Sequence, residues 1–341
     1  MEELDQIKQL LQTPKDIAIF SHRNPDGDAI GSSLAMYHFL SKLGHNVYVI
    51  LPSEYPPVFE FLKDAGKIII YDLEPQRAVE VINKTGFHIF LDFNSLDRID
   101  KMGEIIHFKE VHKLMIDHHL DPEPIADFII SDPEQCSTCI MVYDFISNLG
   151  YRHLIDKDLA TCIYAGILTD TASFKYNMTA DVFVKCADLL TRGIDNVMVQ
   201  REIFDSYTEK QVKLIGHCIN NRMELLPDYD AGIIWLSKED YADFDIKRGD
   251  TEGIVNYLLK IKSVRIAAFI TEQPTIVKIS LRSKGDFSVE EICRDNFNGG
   301  GHLNAAGGYA YAPLESVINR FKSVLPKYFT KHFKRTNPIL N

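Results

Sequence analysis

Asp16-Ile17-Ala18-Ile19-Phe20-Ser21-His22-Arg23-Asn24-Pro25-Asp26-Gly27-Asp28 begins as an apolar run of β-compatible residues and breaks into a loop dense in carboxylates and imidazole. A short apolar run without polar alternation fits a strand buried on both faces, as in a parallel sheet. Beyond Gly31 the segment Ser32 to Leu40 has helical spacing, and Val47-Tyr48-Val49-Ile50-Leu51 reads as the next strand, so the chain opens on a βαβ unit. Strand candidates follow at 67–71, 88–93 and 113–117, each separated from the last by helical or loop sequence. The fold class expected is α/β, a doubly wound and mostly parallel sheet, whose ligands bind beyond the carboxyl ends of its strands. His22, Asp92 and Asp117 each fall at such an end.

Residues 157–170 read as a helix, and helical sequence continues to about Asn221. Strands are then expected at 231–236, 264–271 and 275–281, with helices at 251–260 and 289–297, which makes a second, smaller α/β domain. The division expected is 1–195 for a catalytic domain, 196–215 for a helical linker and 216–341 for a substrate-binding domain. The 341 residues, 45% hydrophobic and 25% charged, suit two domains of roughly 150 residues each. A formal net charge of -11 argues against a broad basic track for long nucleic acid and leaves room for a local basic pocket. An acidic opening, Met1-Glu2-Glu3-Leu4-Asp5, and the lack of a long apolar run make the expected location cytoplasmic, with no membrane partner. The six cysteines are expected as reduced thiols. Cys136 and Cys139 form a C-x-x-C, but no second pair completes a zinc set, and Ser137-Thr138 reads as a helix cap.

In the opening motif Pro25 stiffens the turn and Gly27 permits a close backbone, so His22, Asp26 and Asp28 can converge from one short loop. The ordinary alternative is an Asp-Gly turn with a helix-capping Asp. Asp92 closes the strand Ile89-Phe90-Leu91, where a helix N-cap is its ordinary alternative. Asp117-His118-His119 directly follows Leu114-Met115-Ile116, and Asp170 follows the apolar segment Gly166-Ile167-Leu168. Several carboxylates in one crevice repel each other unless divalent cations neutralise them, and Asp and His are oxygen and nitrogen ligands suited to such ions. An Asp beside a metal-bound His can also accept its other ring proton. This pattern points to metal-assisted phosphoester hydrolysis.

Near the other end, Ser280-Leu281-Arg282-Ser283 closes a strand with a guanidinium able to hold phosphate bidentately. Gly299-Gly300-Gly301-His302 reads as a loop whose backbone N–H groups can approach an anion, with the imidazole of His302 beside them. Arg265 is a further substrate-binding candidate. His38, His45, His107, His112, His153 and His217 have no comparable setting and are taken as structural or exposed.

These residues together resemble the DHH phosphoesterases that carry a C-terminal DHHA1 domain, a RecJ-like superfamily, and within it the nano-RNase and phosphoadenosine-phosphate phosphatase branch. His22 through Asp28 resembles the first family motif, Asp92 the second, Asp117-His118-His119 the signature, Asp170 the fourth, and Asn298 through Gly308 the glycine-rich DHHA1 signature. The resemblance covers nearly the whole chain. It implies two Mn2+ ions, or Mg2+ in their place: one held by His22, Asp26 and Asp92, the second by Asp28, Asp92, His118 and Asp170, with Asp92 bridging. It implies further that Asp117 orients His118 and that His119 sits beside the scissile phosphate. Two departures stand out. Phe93-Asn94-Ser95 follows Asp92 where many relatives have small or hydroxylated residues, and Leu303 stands where proline is common.

The activity implied is hydrolysis of very short oligonucleotides and of 3′-phosphoadenosine 5′-phosphate, with the small domain gripping the far phosphate so that substrate length is measured. Linear or cyclic dinucleotide signals are the alternative substrates, and a nucleotide-binding module without catalysis is the non-enzyme alternative. A pyrophosphatase or polyphosphatase fits the glycine-rich signature less well. Long duplex nucleic acid is not expected as a partner; a homodimer is left open.

Overall fold

The computed structural model describes residues 2–247 and 249–336. The chain forms two compact units, Met1–Ser206 and Tyr207–Asn341. The span expected as a linker contains the helix Asn196–Phe204, in the first unit, and most of the helix Glu209–Asn221, in the second. The last five residues of the second expected domain, 337–341, lie outside the described residues. No helix among the described residues is long and apolar enough to cross a membrane. All six cysteines are free and buried.

The first unit is built on β1 (Asp16–Phe20), β2 (Asn46–Leu51), β3 (Ile69–Ile70), β4 (Phe87–Leu91), β5 (His112–Asp117) and β6 (Phe128–Ser131). They lie in the order β3-β2-β1-β4-β5-β6, and every neighbouring pair is parallel. Alternate residues of each strand enter two different cores. Ile17, Ile19, Ile89 and Ile116 pack with the helices Gly27–Lys42, Thr138–Asn148 and Lys157–Asp170. Ala18, Phe20, Phe90 and Met115 pack with the helices Pro75–Lys84 and Lys101–His107. Burial on both sides is why the central parts of these strands are mostly apolar in sequence. The chain after β1 turns to one face and the chain after β4 to the other, so β1 and β4 flank a switch point, where a doubly wound sheet opens a crevice at its carboxyl edge.

β6 was not expected from sequence. It is a four-residue edge strand, with a pattern too short to separate from loop. The helices Gly27–Lys42 and Lys157–Asp170 cross closely at Gly31 and Gly166. A Cβ on Gly31 would lie 2.5 Å from the Cys162 carbonyl oxygen, and one on Gly166 would lie 2.8 Å from Asp28 Oδ1. That approach draws the Asp28 end of one helix to the Asp170 end of the other.

His88 on β4 is fully buried and meets the Phe20 ring edge-on, with centroids 5.1 Å apart. Its Nε2 shares a 3.1 Å hydrogen bond with Thr85 Oγ1. Burial, helped by the charge of Lys113, pulls its pKa down to about 4. The unfolded chain takes up this proton near pH ~6.5, so stability is fully present above that pH and falls as pH drops toward 4, by up to about 3 kcal/mol. Urea unfolding at pH 7 and pH 4.5 is expected to show a smaller pH difference in His88→Gln than in the wild type. An unchanged difference would show that His88 does not contribute.

The second unit carries β7 (Met223–Leu226), β8 (Ala231–Leu236), β9 (Ile266–Glu272), β10 (Val277–Ser283), β11 (Gly300–His302) and β12 (Ala305–Ala310), in the order β11-β12-β10-β9-β8-β7. β8 and β9 run parallel, and the remaining pairs are antiparallel. Ala268, Ile270, Ile279 and Leu281 pack with Val317, Phe321 and Leu325 of the long helix Leu314–Thr336. Ile234, Ala267 and Phe269 pack with Leu214 and Cys218 on the opposite face.

The glycine run differs from the expected open loop. It is the first strand of a tight hairpin, with Gly300 opposite Gly307, His302 opposite Ala305, and Leu303 and Asn304 at the turn. A Cβ on Gly299 would come within 1.9 Å of the Gly307 carbonyl oxygen, so glycine is needed there for one backbone to approach another.

Candidate metal centre

His22 leaves β1 and Asp92 leaves β4, on the two sides of the switch point. Asp92 takes a left-handed backbone conformation, φ +65°, which a short polar side chain tolerates better than most, and its N–H donates to the Ile116 carbonyl. The carboxylate is 2% exposed. His22 Nδ1–H donates to the Arg23 carbonyl at 2.9 Å, which leaves Nε2 to face Asp92 Oδ2 at 3.4 Å and Asp26 Oδ1 at 3.9 Å. His118 follows the same scheme. Its Nδ1–H donates to the Gln135 carbonyl at 3.2 Å, and its Nε2 faces Asp170 Oδ2 at 3.3 Å, Asp92 Oδ1 at 3.5 Å and Asp28 Oδ2 at 3.9 Å. Both imidazoles thus spend one nitrogen on a backbone carbonyl and turn the other into the carboxylates, the usual arrangement of metal-binding histidine.

Asp26 also serves as the N-cap of the helix Gly27–Lys42, its Oδ1 accepting the N–H groups of Asp28 and Ala29. The capping alternative therefore holds for Asp26 without removing it from the cluster. Asp28 is fully buried. Its carboxylate accepts Thr138 N–H at 2.5 Å and Cys139 N–H at 2.9 Å, at the start of the helix Thr138–Asn148.

Two ligand sets emerge, each with donor atoms within 4.8 Å of one another: His22, Asp26, Asp92 and Asp28, Asp92, His118. Asp170 joins the second through His118, and Asp92 belongs to both. Electrostatics show what the cluster lacks. Burial pushes the Asp28 carboxyl well up, reinforced by the charges of Asp92 and Asp170. Burial, with Asp26 and Asp92, pushes Asp170 up to about 7 against the opposing pull of His118. Burial would lower His118, but Asp170, Asp92 and Asp28 outweigh it and raise the imidazole to about 11. Asp92 goes the other way: burial would raise it, but His22, His119 and His118 outweigh that and hold its carboxyl well below the ordinary range. Where Asp28 and Asp170 resist ionisation and His118 draws a proton, the cluster is short of positive charge, and the donor set of oxygen and imidazole nitrogen fits divalent cations.

The pairing expected for Asp117 is corrected. Asp117 Oδ1 accepts His119 Nδ1–H at 2.7 Å and Oδ2 accepts the His119 backbone N–H at 3.1 Å, so Asp117 orients His119 and not His118. The bond from the His119 backbone N–H to the carboxylate two residues earlier closes a turn just beyond the end of β5 and sets the His119 ring against Asp117. Asp92, Asp117 and His119 also lie within 4.8 Å of one another, but the Asp117–His119 bond already engages two of these three groups.

The residues expected to bind substrate lie in the second unit. Arg282 is on β10 opposite Ala305 and Ala267, on the face that alternates with the core residues Leu281 and Ser283. Arg265 immediately precedes β9, two residues from Ala267. Gly300 and His302 lie on β11, and a Cβ on Gly300 would meet open space. Ser283 departs from its expected role. It is buried, donates to the Phe287 carbonyl at 2.6 Å and accepts Asn304 Nδ2–H at 2.9 Å, so it secures the hairpin turn.

Sequence reading missed Thr138, whose Oγ1–H donates to Asp92 Oδ1 at 2.9 Å, and Gly166, which lets Asp28 and Asp170 approach. A glycine inside an apolar helix was a signal for the second; for the first only a cap signature was present.

A family model described as the N-terminal domain of the DHH family matches residues 16–167, and one for the DHHA1 domain matches residues 234–331. The crystal structure of an exopolyphosphatase-related protein from Bacteroides fragilis matches with a TM-score of 0.93 and 39% identity, covering 96% of this chain and 97% of that one. The chain belongs to the DHH family. The DHH match falls within the first unit and the DHHA1 match within the second. The bifunctional oligoribonuclease and PAP phosphatase NrnA of Thermus thermophilus is 29% identical over 300 residues, covering 85% of this DHH chain and 83% of its own length. The cyclic-di-AMP phosphodiesterase GdpP of Bacillus subtilis is 26% identical over 95% of this chain, which spans only 49% of that protein.

Proposed function

We propose that this DHH chain is a two-metal phosphoesterase acting on very short oligonucleotides and on 3′-phosphoadenosine 5′-phosphate. The observation that carries this reading is the pair of ligand sets sharing Asp92. His22, Asp26 and Asp92 would hold one Mn2+ or Mg2+ ion, and Asp28, Asp92, His118 and Asp170 the other. Two such ions would supply the positive charge that polarises a phosphoester and activates water. Asp117 fixes the proton of His119 on Nδ1, so Nε2 is the nitrogen that would serve the reacting phosphate or its leaving oxygen. The relation to NrnA over most of both chains supports this choice of substrate. The relation to GdpP supports a second reading, a phosphodiesterase of linear or cyclic dinucleotides.

A panel with Mn2+ separates the two: dinucleotides, a five-nucleotide RNA, a twenty-nucleotide RNA, cyclic dinucleotides and phosphoadenosine phosphate. Preference for the two- to five-nucleotide RNAs and the bisphosphate is expected. Preference for cyclic dinucleotides would select the second reading, and two bound metals without turnover on any substrate would leave a binding module.

Arg282, Arg265 and the residues Gly299 to His302 are assigned to substrate groups remote from the scissile bond, whose binding energy positions the reacting phosphate. Arg282→Ala removes a charge-assisted contact of about 1.5–3 kcal/mol, or roughly 10- to 100-fold in kcat/KM on a dinucleotide. Bis-nitrophenyl phosphate lacks the remote group and is expected to be hydrolysed at nearly the wild-type rate. Equal losses on both substrates would count against the assignment.

A further inference from the structure

The Asp92 carboxylate faces two ways: Oδ2 lies 3.4 Å from His22 Nε2, and Oδ1 lies 3.5 Å from His118 Nε2. A carboxylate that turned about its Cβ–Cγ bond would lose that division. Thr138 opposes the turn. This residue is fully buried, its Oγ1–H donates to Asp92 Oδ1 at 2.9 Å, and its N–H donates to Asp28 Oδ2 at 2.5 Å. Ser137 caps the helix by accepting Ile140 N–H, so the amides of Thr138 and Cys139, which have no acceptor inside the helix, are left for Asp28. One residue therefore holds two members of the second ligand set. Each carboxylate oxygen has two lone pairs, so the bond from Thr138 leaves one on Asp92 Oδ1 for a cation.

We propose that Thr138 is a positioning residue of the metal centre: its hydroxyl fixes the Asp92 torsion so that Oδ1 serves the His118 side while Oδ2 serves the His22 side. The proposal rests on the two-metal reading above. Oδ2 is also faced by His22 Nε2 at 3.4 Å, whereas Thr138 is the donor to Oδ1, so loss of the hydroxyl loosens Oδ1 most and falls mainly on the Asp28, Asp92, His118 and Asp170 site. The first site keeps Oδ2, His22 and Asp26.

The test is Mn2+ titration of the metal-free full-length protein, following free Mn2+ by electron paramagnetic resonance, with the Tm of the metal-free protein measured alongside. Thr138→Val keeps the shape and removes the donor; Thr138→Ser restores the donor. In Thr138→Val the first Mn2+ is expected to bind as in the wild type and the second about 10- to 100-fold more weakly, the usual cost of losing a group that orients a ligand. Thr138→Ser is expected to bind both as the wild type does, and the metal-free Tm to be alike in all three. Should Thr138→Val not fold, Thr138→Ala carries the same expectation. Wild-type affinity at both sites of Thr138→Val, equal weakening in Val and Ser, or loss at both sites with a lowered Tm would each overturn the positioning role. Fewer than two Mn2+ in the wild type would overturn the two-metal reading itself, an outcome seen without any variant.

Discussion

Asp92→Ala is expected to abolish Mn2+-dependent turnover and to reduce bound Mn2+ at both sites, while the metal-free protein keeps its fold. The effect exceeds that of any other single ligand because Asp92 alone stands in both ligand sets, one oxygen toward His22 and the other toward His118. Asp28→Ala also removes turnover, but it leaves the set of His22, Asp26 and Asp92 intact, so one Mn2+ per chain is expected to remain. Asp28→Ala removes a buried carboxyl whose charged form the site disfavours, and Asp92→Ala relieves Asp28 of a neighbouring charge while giving up the pairing of Asp92 with His22 and His118. Asp28 is held well above the ordinary carboxylate range by burial and by Asp92 and Asp170, so deleting a neighbouring carboxylate relieves repulsion as it removes a ligand. Elemental analysis, hydrolysis of a dinucleotide and the Tm of the metal-free protein decide the matter together. Near-normal Mn2+-dependent activity in purified Asp92→Ala would remove the bridging assignment.

The parallel sheet was legible because its strands are buried on both faces: Ile17 to Phe20 carries no polar break and Phe87 to Leu91 only the buried His88, and an apolar run of that length bounded by polar loops admits few other readings. His22, Asp92 and Asp117 were legible for a topological reason, since side chains at the carboxyl ends of such strands line the crevice wherever the sheet winds both ways. What stayed hidden was either short or non-local. β6, β7, β11 and β12 are edge or glycine-rich strands of three to six residues, in which hydrophobic alternation has no length to show itself. The glycines that read as a loop form a short strand in which two backbones pair closely. Thr138 lies 46 positions from Asp92, and nothing in its neighbourhood beyond a helix cap marks it. Ser283 looked like an extension of the Arg282 site, yet adjacent residues of a strand face opposite ways and it points into the core.

The two neighbouring imidazoles, both just beyond the end of β5, face different partners, which separates their expected phenotypes. His118 turns Nε2 toward Asp28, Asp92 and Asp170, whereas His119 turns Nδ1 toward buried Asp117, the two rings meeting at 72° with centroids 5.1 Å apart. His118→Ala therefore is expected to lose Mn2+ from the second site, and its turnover falls because the metal is gone. His119→Ala is expected to keep wild-type Mn2+ occupancy and still lose about 10² to 10⁴ in kcat, the range for a positioned acid–base group. Asp117→Asn keeps an oxygen acceptor but removes the charge that holds the Nδ1 proton, so its loss should fall between wild type and His119→Ala, again with Mn2+ retained. Measuring Mn2+ per chain beside kcat on a dinucleotide distinguishes the roles. Metal loss in His119→Ala with full occupancy in His118→Ala would reverse the division of labour, because the Asp92, Asp117 and His119 grouping would then be the one that holds a cation.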